Sequence, residues 1–141
     1  MMDEAIRRFL SRHHVMTLAT VDDAGEAWCS NEFYALDAGR GLLIFTSDPK
    51  TAHAAHMSVK PEVAASVVLE TRVVGRVQGC QIRGRAAQAD DEARRRYLRR
   101  FPYAAAMLAT TEVWALTVDY VKFTDNTLGF GKKLVWQRDT H

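Results

Sequence analysis

The sequence is poor in cysteine, has no long apolar run and carries almost no net charge. Its 141 residues include two cysteines, too few for a disulfide scaffold, which predicts a reducing, cytoplasmic setting. The longest stretch without Asp, Glu, Lys or Arg is 101–111, 11 residues, whereas a membrane-spanning helix needs about 20. The formal net charge of +2 argues against a general nucleic-acid binder.

Size and composition match one globular domain. The chain has a mass of 15.9 kDa, 48% apolar residues and 26% charged residues. These values exclude a disordered chain, a collagen-like repeat and a coiled coil. Because no internal repeat or linker is visible, we predict a single domain over residues 1–141.

The charges are distributed unevenly along the chain. Residues 1–70 hold ten acidic and six basic residues (−4), and residues 71–141 hold seven acidic and thirteen basic residues (+6). The basic excess lies in five arginines within 94–100 and in Lys132 and Lys133. A basic half of this kind can attract a phosphate or an acidic partner. Alternatively, the five arginines form a solvated helix face.

Apolar spacing and capping residues predict three helices. The first helix follows Asp3 as its N-cap and runs to about Arg12. The second runs from Pro49 until Pro61 and is capped by Ser47 or Asp48. The third starts at Asp90–Glu92 and ends at Pro102.

Alternating and β-branched runs predict six or seven strands. They lie at 14–22, 27–37, 41–47, 62–70, 76–89, 112–126 and, as a seventh, 134–138, with Trp114, Leu116, Val118 and Tyr120 on one face of the sixth. Gly79 and Gly84 inside the fifth indicate a bulge, a bend or a close backbone approach. We therefore predict a mostly β fold, a six- to seven-stranded antiparallel barrel with α insertions and short flanking helices.

Two segments have the composition of anion-binding sites. FTSDPKT (45–51) combines hydroxyls, a helix start and Lys50, whose charge at a helix N-terminus is unfavourable unless a negative group such as phosphate lies nearby. The alternative is an exposed lysine beside a capped helix. FTDNTLGFGKK (123–133) places two glycines beside two lysines without the Walker spacing, and its alternative is a mobile polar loop.

Metal-binding and nucleophile motifs are weak. His53 and His56 share a helix face, but no cysteine or carboxylate at ligand spacing accompanies them, so we predict no metal site. We expect Cys29 and Cys80 to be buried and inert. The motifs G-x-S-x-G and G-x-G-x-x-G are absent, and no catalytic residue is predicted.

Five segments covering nearly the whole chain carry a family resemblance. They are HVMTLATVDDAGEAWCSNEFYALD, LLIFTSDPKTAHAAHM, VQGCQIRGRA, RRFPYAAAM and KFTDNTLGFGKKLVWQRD. Together they resemble the FMN-binding split barrels related to pyridoxamine phosphate oxidase, and most closely the small YhbP-type bacterial branch. The last segment is the one most specific to that branch.

The resemblance implies a six-stranded split barrel that forms a two-fold homodimer, with one FMN in each of two grooves between the subunits. It implies that the strand-to-helix segment holds the phosphate, that the second and fifth strands face the flavin and that the C-terminal segment completes the site across the dimer. The FMN-binding residues it implies are Ser30, Asn31, Phe45, Thr46, Ser47, Lys50, Thr51, Gln81, Thr124, Asn126, Lys132 and Trp136.

The chain departs from the oxidase itself. Asn31 and the pair Lys132–Lys133 stand where the oxidase uses arginines, and its C-terminal Arg-and-His pattern is not recognisable, so oxidation of pyridoxamine phosphate is not expected. The leading hypothesis is an FMN-dependent oxidoreductase or flavin reductase. The alternatives are a non-catalytic flavin- or haem-binding module that stores, shields or senses its ligand, and a nucleic-acid-binding barrel that uses the arginine-rich helix.

Overall fold

The computed structural model describes residues 2–139, so both ends of the predicted domain lie outside the described residues. Within this range the chain forms three α-helices, three short 3-10 helices and seven strands. The helices are α1 (Glu4–Arg12), α2 (Ala52–Val59) and α3 (Asp91–Arg100). The strands are β1 (Val15–Val21), β2 (Ala27–Asp37), β3 (Leu42–Ser47), β4 (Glu62–Val68), β5 (Gln78–Gln88), β6 (Glu112–Asp125) and β7 (Lys133–Gln137). The predicted mostly β fold with short helices is confirmed.

The strands form one antiparallel sheet that closes on itself. Their order is β3-β2-β1-β4-β5-β6-β7, and β3 also pairs with β6. With 14 residues, β6 pairs its first half with β3 and its second half with β7 along the same edge. Strands β1 to β6 therefore form the barrel and β7 extends it, and this closure leaves few open strand edges.

A bulge in β6 changes which of its residues face the interior. Arg83 pairs with Tyr120 and Gly84 pairs with Val118, so Asp119 is an extra residue in the ladder. Inward-facing side chains therefore occupy even positions up to Val118 and odd positions beyond it. The prediction that Tyr120 shares a face with Trp114, Leu116 and Val118 is wrong, because the sequence alternation does not reveal the bulge.

Two hydrophobic cores stabilise the fold. The larger fills the barrel, where α1 contributes three fully buried side chains, and the smaller lies between α3 and the outer side of β2 and β3. Leu43 and Phe45 of β3 belong to the first core and Ile44 to the second. This double burial explains why β3 is apolar through most of its length.

Helix α2 begins later than predicted. It starts at Ala52, and the Thr51 hydroxyl caps it. Asp48 instead closes a separate turn before the helix: its carboxylate accepts the Lys50 N–H at 2.9 Å, and its carbonyl accepts the Thr51 N–H at 3.0 Å. The predicted start at Pro49 is therefore wrong, and Lys50 precedes the helix rather than lying in its first turn.

The two cysteines differ in environment. Both are free, and Cys80 is buried in the barrel whereas Cys29 is exposed. The prediction of two buried thiols is wrong for Cys29, because β2 turns this residue to the outer surface of the sheet. The cytoplasmic setting stays a prediction.

A membrane span would need a longer and more apolar helix than any found among residues 2–139.

Candidate functional site

Five neighbouring strands each place one polar side chain in a row across the outer face of the sheet. Asn31 pairs with Thr17, Thr17 with Ser66, Ser66 with Gln81, and Gln81 with Lys122. Directly paired residues share a face. The Thr17 hydroxyl donates to the Asn31 amide oxygen at 3.0 Å. This polar row offers amide, hydroxyl and ammonium groups to a ligand.

The next row along the strands consists of Cys29, Ala19, Ala64, Arg83 and Tyr120. Between the two rows lies an open cavity of about 430 Å³, which we call the outer-face groove. Its size falls within the range of small-molecule sites, roughly 300–1,000 Å³. The Arg83 guanidinium carbon lies 4.8 Å from the centroid of the Tyr120 ring, which is a cation–π geometry.

A second polar group lies at residues 46–51, the strand–helix junction between β3 and α2. The hydroxyl oxygens of Ser47 and Thr51 lie 3.4 Å apart, and Ser47 is buried. Lys50 is exposed beside them, and Thr46 is the last outward-facing residue of β3. Hydroxyls, an ammonium group and a helix start together can bind a phosphate-sized anion.

A histidine–carboxylate pair lies beside this junction. The Nε2 atom of His53 lies 3.2 Å from Oε1 of Glu32 and 3.3 Å from the Thr51 hydroxyl oxygen. Because Thr51 donates its own proton to the Asp48 carbonyl at 2.7 Å, the His53 Nε2–H is the donor to Thr51. Burial lowers the pKa of His53 and raises the pKa of Glu32. At neutral pH the imidazole is therefore neutral; it donates to Thr51 and lies beside the Glu32 carboxyl group.

The second histidine of α2 has a different partner. His56 Nδ1 lies 2.9 Å from the Thr20 hydroxyl. Across the described residues, no group of three or more His, Cys, Asp or Glu side chains is placed to hold a metal ion. The two histidines thus belong to separate polar contacts.

The residues predicted to bind FMN fall into separate places. Thr46, Ser47, Lys50 and Thr51 lie at the strand–helix junction; Asn31, Gln81 and Thr124 lie on the outer face of the sheet; Asn126 and Lys132 lie in the loop between β6 and β7. Gln81 is three strands away from Asn31, about 14 Å at the usual strand spacing. One chain does not bring the whole predicted set around a single small group.

Three of the predicted residues face away from the outer face. Phe45 is fully buried, so its side chain builds the barrel core and does not reach a surface ligand. Ser30 precedes Asn31 on β2 and therefore points to the opposite side of the sheet. Trp136 packs against the barrel core beneath the Arg138 guanidinium, 5.5 Å from the ring centroid.

Asn126 orders the loop between β6 and β7. Its amide nitrogen donates to the Val74 carbonyl at 2.9 Å, and its amide oxygen accepts the Gly131 N–H at 3.0 Å. Lys132 is exposed at the end of this loop. The Asn126 amide thus has partners within its own chain, whereas the Lys132 side chain faces solvent.

Sequence reasoning missed several residues that line the outer-face groove, because the strands that bring them together are distant along the chain. Strand alternation is the signal that assigns those of β1, β4 and β5 to the polar side of their strands, whereas those of β6 follow the bulge, which alternation does not reveal. The missed residues are Thr17, Ser66, Arg83, Tyr120 and Lys122.

A family model described as pyridoxamine 5'-phosphate oxidase matches residues 2–125. The chain belongs to this family. It is also 44% identical over 140 residues to "UPF0306 protein YhbP" of Salmonella paratyphi A, an alignment that covers 96% of this chain and 93% of that protein. The resemblance stated from the sequence is therefore confirmed for both the family and the branch.

Solved structures share the fold of this family member. A "heme binding protein" from Mycobacterium smegmatis superposes with a TM-score of 0.80 at 22% identity, covering 95% of this chain and 57% of that one. A "fad-binding protein" from Mesorhizobium loti superposes with a TM-score of 0.71 at 16% identity, covering 86% and 92%. These likenesses confirm the split-barrel fold.

Proposed function

We propose that this protein is an FMN-binding homodimer that acts as a flavin-dependent oxidoreductase on an unidentified substrate. One observation carries the proposal: the chain has two separate polar sites, one at the junction of β3 and α2 and one on the outer face of the sheet, and each suits a different part of FMN. The strand–helix junction suits the phosphate, and the polar row suits the ring system.

The donor set at the junction fits a phosphate. Three hydroxyl side chains and the Lys50 ammonium group lie within six residues at the start of α2. Asp48 lies in the same segment, and its carboxylate accepts the backbone N–H of Lys50. We infer that Lys50 makes the charge-dependent contact to the phosphate.

The outer face fits a flat heteroaromatic ring. Asn31, Thr17, Ser66 and Gln81 supply both donors and acceptors along one line, and the methyl groups of small residues lie beside them. An apolar surface with a few polar groups is the usual composition of a cofactor site. When bound, the flavin supplies the redox chemistry, and the protein supplies binding, orientation and exclusion of water.

The homodimer follows from the separation of the two sites. A two-fold related copy can bring its own outer face to the junction of the first chain, so that each subunit supplies part of each site. Exposed apolar side chains on the outer face support such an interface, since isolated chains seldom expose large apolar patches. They are Val15, Phe33, Val68 and Val135.

The test is the absorbance spectrum of purified protein, followed by titration with FMN and with riboflavin. We expect flavin bands and about one FMN per chain. Because riboflavin lacks the phosphate, Lys50→Ala should weaken FMN binding about tenfold and leave riboflavin binding unchanged. Lys60→Ala, at the other end of α2, is the matched control. A colourless protein that takes up no FMN would contradict the proposal.

A haem-binding module is the second candidate, favoured by Cys29 and Tyr120. Both line the outer-face groove, and thiolate and phenolate groups are known ligands of haem iron. The superposed mycobacterial structure is also named as a haem-binding protein. Titration with haemin discriminates the two functions. A Soret band that grows to saturation, and that shifts in Cys29→Ala or in Tyr120→Phe, would favour haem binding.

A further inference from the structure

We propose that the protein docks on the surface of anionic membranes through two loops at one end of the barrel. The first loop joins β4 to β5 over residues 69–77, and the second joins β6 to β7 over residues 126–132. The large apolar side chains that these loops expose are called the apolar tips. They are Val73, Val74, Leu128 and Phe130. The proposal rests on their exposure, on the bonds that join the loops and on the charges beside them.

The apolar tips keep their side chains in solvent. Phe130 is 85% exposed, the highest value among the large apolar side chains of residues 2–139, and the other three are 51–62% exposed. Single exposed apolar side chains are ordinary on a protein surface. Four of them on two adjoining loops form a patch of the kind that contacts a partner or a membrane.

Asn126 joins the two loops into one surface. Its amide nitrogen donates to the Val74 carbonyl and its backbone N–H to the Val77 carbonyl, both at 2.9 Å. Its amide oxygen accepts the N–H of Gly131, whose φ of 74° favours glycine. The backbone around Phe130 is therefore held by hydrogen bonds while the ring points into water, so its exposure is a property of the folded loop.

Exposed cations flank the apolar tips along both loops. The loops and the first residue of β7 hold four basic residues and one acidic residue, Glu70, which gives +3. Asp125, just before the second loop, is buried and accepts the Thr127 N–H and O–H at 3.0 and 2.6 Å. In the described part of the chain, no carboxylate oxygen lies within 4.0 Å of the charged nitrogens of the four basic side chains. They are Arg72, Arg76, Lys132 and Lys133.

A bilayer that contains anionic lipids suits this combination. Apolar side chains enter the boundary between headgroups and acyl chains, and the cations beside them attract the anionic headgroups. A nucleic acid offers phosphates to the cations but no apolar medium to the tips. A second copy that used the same surface about a two-fold axis would bring like charges together.

The docking surface is separate from the two polar sites of the proposed function. None of the apolar tips lines the outer-face groove. The second loop follows the last residue of β6, whereas the strand–helix junction lies beside the first residues of that strand, where Ser47 pairs with Glu112. Membrane docking therefore does not depend on flavin binding.

The experiment measures co-sedimentation with vesicles of pure phosphatidylcholine and with vesicles of equal parts phosphatidylcholine and phosphatidylglycerol. We expect binding to the mixed vesicles that is at least about tenfold tighter and that weakens as salt is added. Phe130→Ser should weaken it about tenfold and Val74→Ser about threefold. Val59→Ser is the matched control, since Val59 lies at the end of α2 and its exposure of 61% equals that of Val74, 60%.

The cations are tested by the double variant Arg76→Gln/Lys133→Gln. Because each cation near an anionic surface contributes about fivefold, binding to the mixed vesicles should fall about 25-fold. The control Arg95→Gln/Arg99→Gln removes the same charge from exposed positions of α3 and should leave binding unchanged.

Absence of vesicle binding, equal binding to both vesicle types, or equal losses in the loop variants and their controls would each overturn the proposal. A wild-type dimer that becomes a monomer in Phe130→Ser, measured by sedimentation velocity, would also overturn it and assign the tips to a contact between copies. Circular dichroism checks that each variant is folded. The absorbance spectrum of the same samples reports the flavin, so loss of membrane docking and loss of flavin binding are observed separately.

Discussion

His53 and Glu32 form a contact in which both side chains are almost removed from solvent, with 10% and 14% of their side-chain surface exposed. The imidazole, at the start of α2, contacts Glu32 of β2 and the Thr51 hydroxyl that caps the helix. A protonated His53 would carry charge into this half-closed space, and burial accordingly lowers its pKa. The pair therefore makes the stability of this end of the barrel sensitive to acid.

We predict that the protein loses stability as the pH falls from about 7.5 to about 5.5. The pKa of His53 in the folded state lies below the ordinary value of 6.5, so the unfolded chain binds more protons in this range and acid favours unfolding. Burial lowers the pKa of His13 as well, which adds to the same trend. Burial raises the pKa of Glu32, an opposing effect that is relieved as its carboxyl takes up a proton at lower pH.

Urea unfolding at the two pH values measures the effect in wild type and in His53→Gln. Glutamine keeps an N–H donor but does not titrate, so the variant should show a smaller difference in free energy of unfolding between the two pH values. His13→Gln should reduce the remaining difference. A His53→Gln variant with the wild-type pH dependence would show that His53 does not contribute.

At the scale of elements, the bulge between β5 and β6 decides which side chains reach the groove. Without Asp119 as the extra residue, Tyr120 and Lys122 would follow the alternation of the first half of β6 and face the barrel core. Gly84 lies opposite the bulge, where an added Cβ would overlap the backbone oxygen of Thr117 and the side chain of Leu116. The close approach predicted at this glycine is confirmed.

Gly84→Ala should therefore destabilise the fold by about 3 kcal/mol, because the backbone must shift to make room for the methyl group. Gly75→Ala is the matched control: a Cβ there meets nothing within 4 Å, and we expect a change below about 0.5 kcal/mol. Urea denaturation of the two variants gives both free energies. Equal stabilities would mean that β5 and β6 separate at little cost, contrary to the tight contact at Gly84.

The strands were predictable and their lateral order was not. All seven strands lie within the predicted segments to within a few residues, since alternation and turn residues are local signals. The bulge at Asp119 and the cap at Thr51 depend on which of several competing hydrogen bonds forms in the folded chain. The two rows of the outer face depend on the pairing of β1 with β4, which lie more than 40 residues apart, so Arg83 and Lys122 could not be assigned to one site beforehand.

At the scale of the whole molecule, part of the arginine-rich helix is already engaged in contacts within the fold. Arg100 of α3 donates to the carbonyls of Ser11 and His13, and Arg96 lies 3.6 Å from the Asp37 carboxylate. Arg100 thereby joins α3 to the C-terminal end of α1, where a cation is favourable. These contacts reduce the number of cations that the arginine-rich helix offers to a nucleic acid.

The proposed homodimer leads to a prediction that uses two valines of nearly equal exposure. Val68 on the outer face is 60% exposed, and Val59 at the end of α2 is 61% exposed. A charge at Val68 would have to be desolvated in the interface, whereas a charge at Val59 stays in water. Val68→Glu should therefore give a monomer in sedimentation velocity and bind FMN at least about tenfold more weakly, and Val59→Glu should remain dimeric with wild-type affinity. A monomeric wild type, or a monomeric Val68→Glu variant with full FMN affinity, would show that one chain completes the site alone.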